Sequence, residues 1–295
     1  GGTLTLLEAW CGALAYTFQL YFDFSGYSDM AIGISRLFGV KLPLNFDSPY
    51  KSVNIIEFWR RWHMTLSRFL RDYLYFALGG NRKGPARRYL NLLATMLLGG
   101  LWHGAGWTFV IWGLLHGFYL VINHAWHRIR NALGYGLKNS TGLVRFASMS
   151  LTFLAIGVGW VFFRAENFDA ALSILSGMAG LNGVTLPGGL SELFHGRITQ
   201  LMADFGVGFG ALPAINEGRG SGITMGWIAA CWAITWFAPN TQQIMASFKP
   251  ALEEVAPTRW PRWQPNLLWL GATILCAFYS LIEMGKVSEF LYFQF

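Results

Sequence analysis

RYLNLLATMLLGGLWHGAGWTFVIWGLLHGFYLVIN, residues 88–123, is the stretch whose reading decides the fold. It is almost wholly apolar, yet Gly99-Gly100-Leu101-Trp102-His103-Gly104-Ala105-Gly106 interrupts it with four glycines and a histidine. At ~1.5 Å per residue an unbroken helix of that length would reach ~54 Å, far beyond a hydrocarbon core of ~30 Å. The segment is therefore expected to bend around His103. Non-helical backbone at membrane depth is tolerated only where it lines a cavity or is buried in protein, and glycines let the chain turn and a ligand approach closely. An ionisable imidazole at such a point is a functional-site candidate, to be weighed against a core histidine satisfied by a carbonyl.

Composition points the same way. Of 295 residues, 54% are hydrophobic and only 13% charged, against about 25% charged in a soluble domain. The expected class is an all-α, polytopic integral membrane protein folded as one domain over residues 1–295. Besides the broken segment, the apolar runs are Leu4 to Phe22, Phe146 to Phe163, Thr224 to Phe237 and Leu267 to Ile282; several are short or carry glycines, which suits a bundle with an internal cavity. The first residues lack a Met and a signal-peptide pattern and run straight into a span, so the chain reads as the C-terminal piece of something longer. Cys11, Cys231 and Cys276 have no metal or redox spacing and are expected to be small core residues.

The first run leads into Asp23-Phe24-Ser25-Gly26-Tyr27-Ser28-Asp29. Two carboxylates in such surroundings are costly unless hydrogen-bonded or wet, so Asp23 and Asp29 should face the interior. Their six-residue spacing does not put them on one helical face, and they read as cavity-lining or structural groups in preference to a catalytic pair.

Charge then changes abruptly. Between Arg36 and Arg88 lie 11 of the 22 Lys and Arg against only Asp47, Glu57 and Asp72, which makes this segment cytoplasmic by the positive-inside rule. Inside it, Asn54 with Glu57 three residues on and the closing Gly79-Gly80 predict one helix from about Ile55 to Leu78. On a helical wheel its apolar stripe holds Ile55, Phe58, Trp59, Trp62, Phe69, Leu70, Tyr73, Leu74, Phe76 and Ala77, while Arg60, Arg61, Arg68 and Arg71 fall opposite. It is expected to be an interfacial amphipathic helix with its arginines toward headgroups and cytosol. His63 falls inside the apolar stripe and should point into the bundle.

If both ends of the broken segment are cytoplasmic, it is a re-entrant hairpin or a pair of spans, and His116 could line the same cavity as His103. His124 and His127, three apart at a helix end, are better explained by an interfacial location than as a metal pair, and His195 carries no signal. From Arg164 to Gly222 acids outnumber bases, placing this Gly-rich segment on the far side with a candidate interfacial helix at Phe168 to Met178. Gly79-Gly80-Asn81-Arg82-Lys83-Gly84 looks like a phosphate loop by composition alone, without the Gly-Lys-Ser/Thr ending or a preceding strand.

Four motifs in order, Asp23-Phe24-Ser25-Gly26-Tyr27-Ser28-Asp29, Glu57-Phe58-Trp59-Arg60-Arg61-Trp62-His63, Arg71-Asp72-Tyr73-Leu74-Tyr75 and Gly100-Leu101-Trp102-His103-Gly104, resemble the membrane-bound O-acyltransferase (MBOAT) family, within it the bacterial alginate O-acetyltransferase branch. The match is strong over roughly residues 10 to 165 and loose beyond. The resemblance implies an MBOAT-type helical bundle in a bacterial inner membrane, with the family's catalytic histidine at His103 and its second histidine at His63. It implies acetyl transfer from a cytoplasmic thioester, acetyl-CoA, with no permanently bound cofactor and no metal. The implied partners are membrane lipid, a polysaccharide acceptor and a periplasmic acetyltransferase or polysaccharide-export protein; nucleic acid is not expected.

The chemistry is consistent with the residues. A neutral imidazole in an apolar pocket suits a general base at pH 7, and a hydroxyl needs one to become a useful nucleophile. Arg82, Lys83, Arg87 and Arg88, just before the broken segment, are candidates for the donor's pyrophosphate, or serve as topology signals. Asp23, Ser25, Tyr27, Asp29, Trp102, Trp107 and His116 are the expected cavity-lining groups. A transporter would also use broken helices, normally a pair in corresponding halves, and only one break is evident. The acceptor stays open among alginate, cellulose, peptidoglycan and teichoic acid, as does direct transfer against relay through a partner.

Overall fold

The computed structural model describes residues 3–134, 141–193, 196–213, 215, 221–256 and 258–284; His195 lies outside them. The chain opens with α1 (Leu6–Leu37), started by a capping box in which Thr5 and Glu8 satisfy each other's backbone N–H. Its 32 residues carry the helix well past the expected Phe22 and through both Asp23 and Asp29. A one-turn 3₁₀ helix, Pro49–Lys51, precedes α2 (Ile55–Arg61) and α3 (Met64–Phe69), and α3 runs on into a π-helical turn at Leu70–Tyr75.

The segment around residues 55–78 is therefore not the single helix its periodicity predicts. Asn54 does cap it, accepting from Glu57 N at 2.9 Å, but α2 stops at Arg61 and His63 takes a left-handed conformation, φ 42°, ψ 56°. Wheel arithmetic counts residues and cannot see one residue that leaves the α-basin. The chain reverses there. Asn54 and Ile55 lie beside Ile122 and Asn123, Trp59 beside Trp112 and His116, and on the return Leu70 meets Gly99 and Gly80 O accepts from Asn91. Phe69 and Tyr73, expected on the apolar stripe, are exposed on that return.

The broken segment becomes the helical hairpin α4 (Gly84–His103) and α5 (Trp107–Ala132). The break is narrower than the glycine run suggests. Gly104, Ala105 and Gly106 make the turn, and His103 is the last residue of α4. Gly99 and Gly100 stay helical and serve packing: a Cβ on Gly100 would sit 2.3 Å from Phe109 O, and one on Gly113 would sit 2.4 Å from Met96 O. The two backbones touch there, and only glycine allows it.

Next come α6 (Gly142–Arg164) and α7 (Phe168–Met178), the latter capped by Asn167. Then follow β1 (Val184–Pro187), α8 (Gly189–Leu193), α9 (Arg197–Asp204) and β2 (Val207–Gly210). The strands pair in parallel, Val184 opposite Val207. This ribbon is the departure from an all-α fold. The described chain closes with α10 (Ser221–Phe237), α11 (Thr241–Ile244) and α12 (Leu267–Glu283). By length and composition two described helices, α5 and α6, could cross a membrane. Among the described residues α12 buries no side chain although it is mostly apolar, the pattern of a helix that needs lipid or protein around it. Cys11 is buried, but Cys231 is half-buried and Cys276 is exposed on α12, so the cysteines are not all core residues.

The core lies where α1, α2, α5 and α6 meet, and it is aromatic. Trp112 stacks on Trp160 at 5.9 Å and 19°, Phe58 lies under Trp62 at 5.6 Å, and Tyr50 donates its hydroxyl to Thr17 O at 2.7 Å. Each such ring pair adds ~0.5–1.5 kcal/mol beyond the apolar area it removes from water. Stacked, interlocked rings give the rigid wall that a small cavity needs.

Candidate active site

The two chain reversals meet. His63, at the bend between α2 and α3, and His103, at the end of α4, line one cavity of about 220 Å³ together with Leu20, Phe24, Trp59, Trp62, Leu66, Trp102, Trp112, Trp160 and Phe163. This is below the ~300–1,000 Å³ of typical small-molecule sites, a size for a reacting acyl group and the hydroxyl-bearing edge of an acceptor. Apart from the imidazoles, the indole nitrogens and the backbone, its wall is hydrocarbon.

His103 is fixed by rings. Trp102 meets it edge-on at 4.9 Å, Trp112 at 5.3 Å and Phe163 at 5.0 Å. The turn that places it is tight: a Cβ on Gly104 would fall 2.5 Å from the Phe109 ring. His63 is held by both rings and polar groups. Phe24 meets it edge-on at 4.8 Å, and its Nδ1 lies 3.1 Å from Asn45 Oδ1. Its Nε2 is buried with no hydrogen-bond partner among the described residues. An unpaired buried imidazole nitrogen is costly, of order 1–3 kcal/mol, and this one belongs to a ring that lines the cavity.

Of the expected cavity-lining residues, Trp102 lines this one. Trp107 is 78% exposed and does not line it. His116 is fully buried, one turn further along α5 than Trp112, whose indole it meets at 4.9 Å, and it does not line the cavity; its Nε2 faces Gly159, where a Cβ would come within 2.7 Å. It is a core histidine. Asp23, Ser25, Tyr27 and Asp29 do not line the histidine cavity. Ser25 and Asp29 face a separate polar cavity of about 260 Å³, where Asp29 accepts from Gln242 Nε2 at 2.7 Å, and Tyr27 is exposed.

The four basic candidates sit at the other end of α4. Arg82, Lys83 and Arg87 are exposed and Arg88 is half-buried, its guanidinium 3.0 Å from His124 Nδ1. Arg88, His124, His127 and Arg128 share one basic groove. Fifteen residues of α4 separate Arg88 from His103, about 23 Å at ~1.5 Å per residue. Among the described residues no group of three or more His, Cys, Asp or Glu could hold a metal.

Sequence reasoning missed Trp112, Trp160, Phe163 and Asn45. The aromatics lie in apolar runs where packing and cavity positions look alike. Asn45 lies in the irregular Leu42-Pro43-Leu44-Asn45-Phe46-Asp47 stretch, where no periodicity directs attention to one residue.

A bent helical hairpin with a histidine at its tip, facing a second histidine across an aromatic cavity, is the setting in which known proteins can be compared. The model of the membrane-bound O-acyltransferase family matches residues 3–162, more than half of the chain, and the chain belongs to that family. It is 39% identical over 306 aligned residues to the probable alginate O-acetylase AlgI of Pseudomonas syringae pv. tomato, covering 98% of this chain and 56% of that protein. It is 53% identical over 184 residues to the peptidoglycan O-acetyltransferase of Helicobacter pylori, covering 62% of this chain and 34% of that protein. Over 108 residues it is 39% identical to the teichoic acid D-alanyltransferase of Bacillus subtilis, 34% of this chain and 27% of that protein. The chain thus spans between about a third and just over half of the length of the first two relatives.

Proposed function

We propose that the protein is a multi-pass O-acetyltransferase of a bacterial inner membrane. It carries acetyl from cytoplasmic acetyl-CoA to a hydroxyl of an exported polysaccharide or to a periplasmic partner protein. The observation that carries this reading is that His63 and His103, forty positions apart, line one small apolar cavity. In the reaction a hydroxyl oxygen attacks the thioester carbonyl as His103 takes the hydroxyl proton; the thiolate then leaves and recovers that proton, giving ester and free thiol. The dry aromatic wall strengthens each polar contact and keeps water from competing as nucleophile. Arg82, Lys83, Arg87 and Arg88 hold the donor's phosphates at the cytoplasmic end of α4, leaving its acyl arm to reach toward His103. Donor and acceptor then enter from opposite ends of the hairpin.

Alginate is the acceptor favoured first, because the relatives matching 98% of this chain carry alginate in their names. Peptidoglycan is the second reading, favoured by 53% identity over 184 residues to a peptidoglycan O-acetyltransferase.

The test is transfer of labelled acetyl in membranes carrying the full-length protein. His103→Ala should reduce it by about 10² to 10⁴, the scale for losing a general base. His63→Ala should lower it clearly, and the double substitution should be no worse than His103→Ala alone, because groups serving one step are not additive. Near-normal transfer by a well-expressed His103→Ala protein would remove the centre of the proposal, and substrate uptake into vesicles without acyl transfer would make the protein a transporter.

A further inference from the structure

The segment from Asn45 to Asp47 is bound to both sides of the His63 turn. The backbone carbonyl of Asn45 accepts from Met64 N at 3.0 Å. Its side-chain oxygen Oδ1 accepts from Thr65 Oγ1 at 2.9 Å and from Thr65 N at 3.3 Å, while its amide nitrogen reaches Ser28 Oγ at 3.4 Å. Two residues on, Asp47 N donates to Arg61 O at 3.0 Å. The 45–47 segment thus clamps the chain at His63, one of three described non-glycine residues with a left-handed backbone, a conformation that persists only where its surroundings over-determine it.

These bonds also decide which ring nitrogen of His63 carries the proton. A backbone N–H can only donate, so the group of Asn45 facing Thr65 N must be the oxygen and not the amide nitrogen. The same oxygen lies 3.1 Å from His63 Nδ1, nearer than the Thr65 hydroxyl at 3.4 Å, whose one proton goes to Asn45 Oδ1 at 2.9 Å. An oxygen acceptor there requires Nδ1–H, and a neutral imidazole protonated at Nδ1 has its lone pair at Nε2. That Nε2 is the buried, unpartnered nitrogen in a cavity that His63 lines.

We infer that Asn45 is a positioning residue which locks His63 as the Nδ1–H tautomer, so that Nε2 accepts a hydrogen bond from a hydroxyl of the acceptor saccharide. This rests on the acyl-transfer reading for its ligand but not for its tautomer. A lone pair cannot bind a thioester carbonyl or a phosphate oxygen, both of which are acceptors themselves. The Nε2 side of the cavity is therefore the acceptor's side, and the thioester lies against His103 and the Trp102 and Phe163 rings. A saccharide carries several hydroxyls, so one held on Nε2 leaves its neighbour free to give its proton to His103.

The experiment uses the full-length protein, purified in detergent and labelled with ring-¹⁵N histidine. The His63 signals, assigned by their loss in His63→Gln, should show a protonated Nδ1 and a bare Nε2. Asn45→Asp keeps an oxygen acceptor and should keep that tautomer; Asn45→Ala should lose it. With labelled acetyl-CoA and an alginate oligosaccharide as acceptor, Asn45→Ala should raise the KM for the oligosaccharide roughly tenfold, the scale of one lost hydrogen bond. The KM for acetyl-CoA should not change, and Asn45→Asp should restore the oligosaccharide KM. A wild-type His63 protonated at Nε2 overturns the inference, as does an Asn45→Ala effect confined to the acetyl-CoA KM. No transfer of labelled acetyl by the wild type to the oligosaccharide, to peptidoglycan or to any periplasmic protein in the membranes would instead overturn the functional reading, and the spectrum would still decide the tautomer.

Discussion

Gly113→Ala tests whether the α4–α5 hairpin is held by direct backbone contact. The new Cβ would lie 2.4 Å from Met96 O and 3.2 Å from Gly100 Cα. Ordinary contacts begin near 3.4 Å, so the two helices would have to separate by about 1 Å. Neither neighbour is a side chain that can rotate away, which places the strain near the top of the ~1–3 kcal/mol range for overpacking. The gain in helix propensity from Gly to Ala offsets ~1 kcal/mol of this, leaving a net loss of roughly 2 kcal/mol. Gly12→Ala is the internal control: it sits in α1 with nothing within 4 Å of its added Cβ, so only the propensity gain of ~1 kcal/mol should remain. Thermal unfolding in detergent should move in opposite directions for the two variants. Because Trp112 precedes Gly113 and lines the histidine cavity, the first should also lose acyl transfer. A Gly113→Ala protein that melts at or above the wild type would refute the contact argument. Adding Gly100→Ala should cost less than its own single effect, since both substitutions break one crossing.

Neutralising Arg87 and Arg88 together should raise the KM for acetyl-CoA while leaving membrane insertion intact, and an unchanged KM would leave them as topology signals. The Arg68–Glu253 ion pair ties α3 to the segment before α12, with Glu253 also accepting from Leu44 N at 2.6 Å. Partial burial pushes this carboxyl up, but the bonds from Leu44 and Arg68 outweigh it and leave it below the usual glutamate range. A depressed carboxylate contributes stability that is present above its unfolded value and lost as pH falls through the folded one. The melting temperature of the wild type should thus fall toward that of Glu253→Gln below about pH 4.3, and a difference between them that persists or grows in acid would contradict the pairing.

What was legible in the sequence was whatever an apolar run can encode. The runs at Phe146 to Phe163, Thr224 to Phe237 and Leu267 to Ile282 became α6, α10 and α12 with ends within four residues, because a long run of hydrophobic side chains leaves the backbone no alternative to internal hydrogen bonding. His103 was legible for the same reason, since a stretch too long to cross straight has to turn at its glycines. His63 shows the limit. Its wheel position rightly pointed it inward, but a continuous helix would have carried the apolar stripe past it and buried Phe69 and Tyr73, which are exposed. The reversal at His63 is bridged by the segment from Asn45 to Asp47, some eighteen residues upstream, which bonds to Arg61, His63 and Met64, and no local period records a clamp from another segment. The two breaks therefore differ in kind. At His103 the turn is written in its own glycines, whereas at His63 a non-glycine residue is held left-handed by hydrogen bonds from elsewhere. A site assembled from one of each is rigid on the α4 side and depends on the 45–47 clamp on the other. The reach of the second imbalance is set by distance: loosening Asn45 should displace His63 and leave the rings around His103 in place.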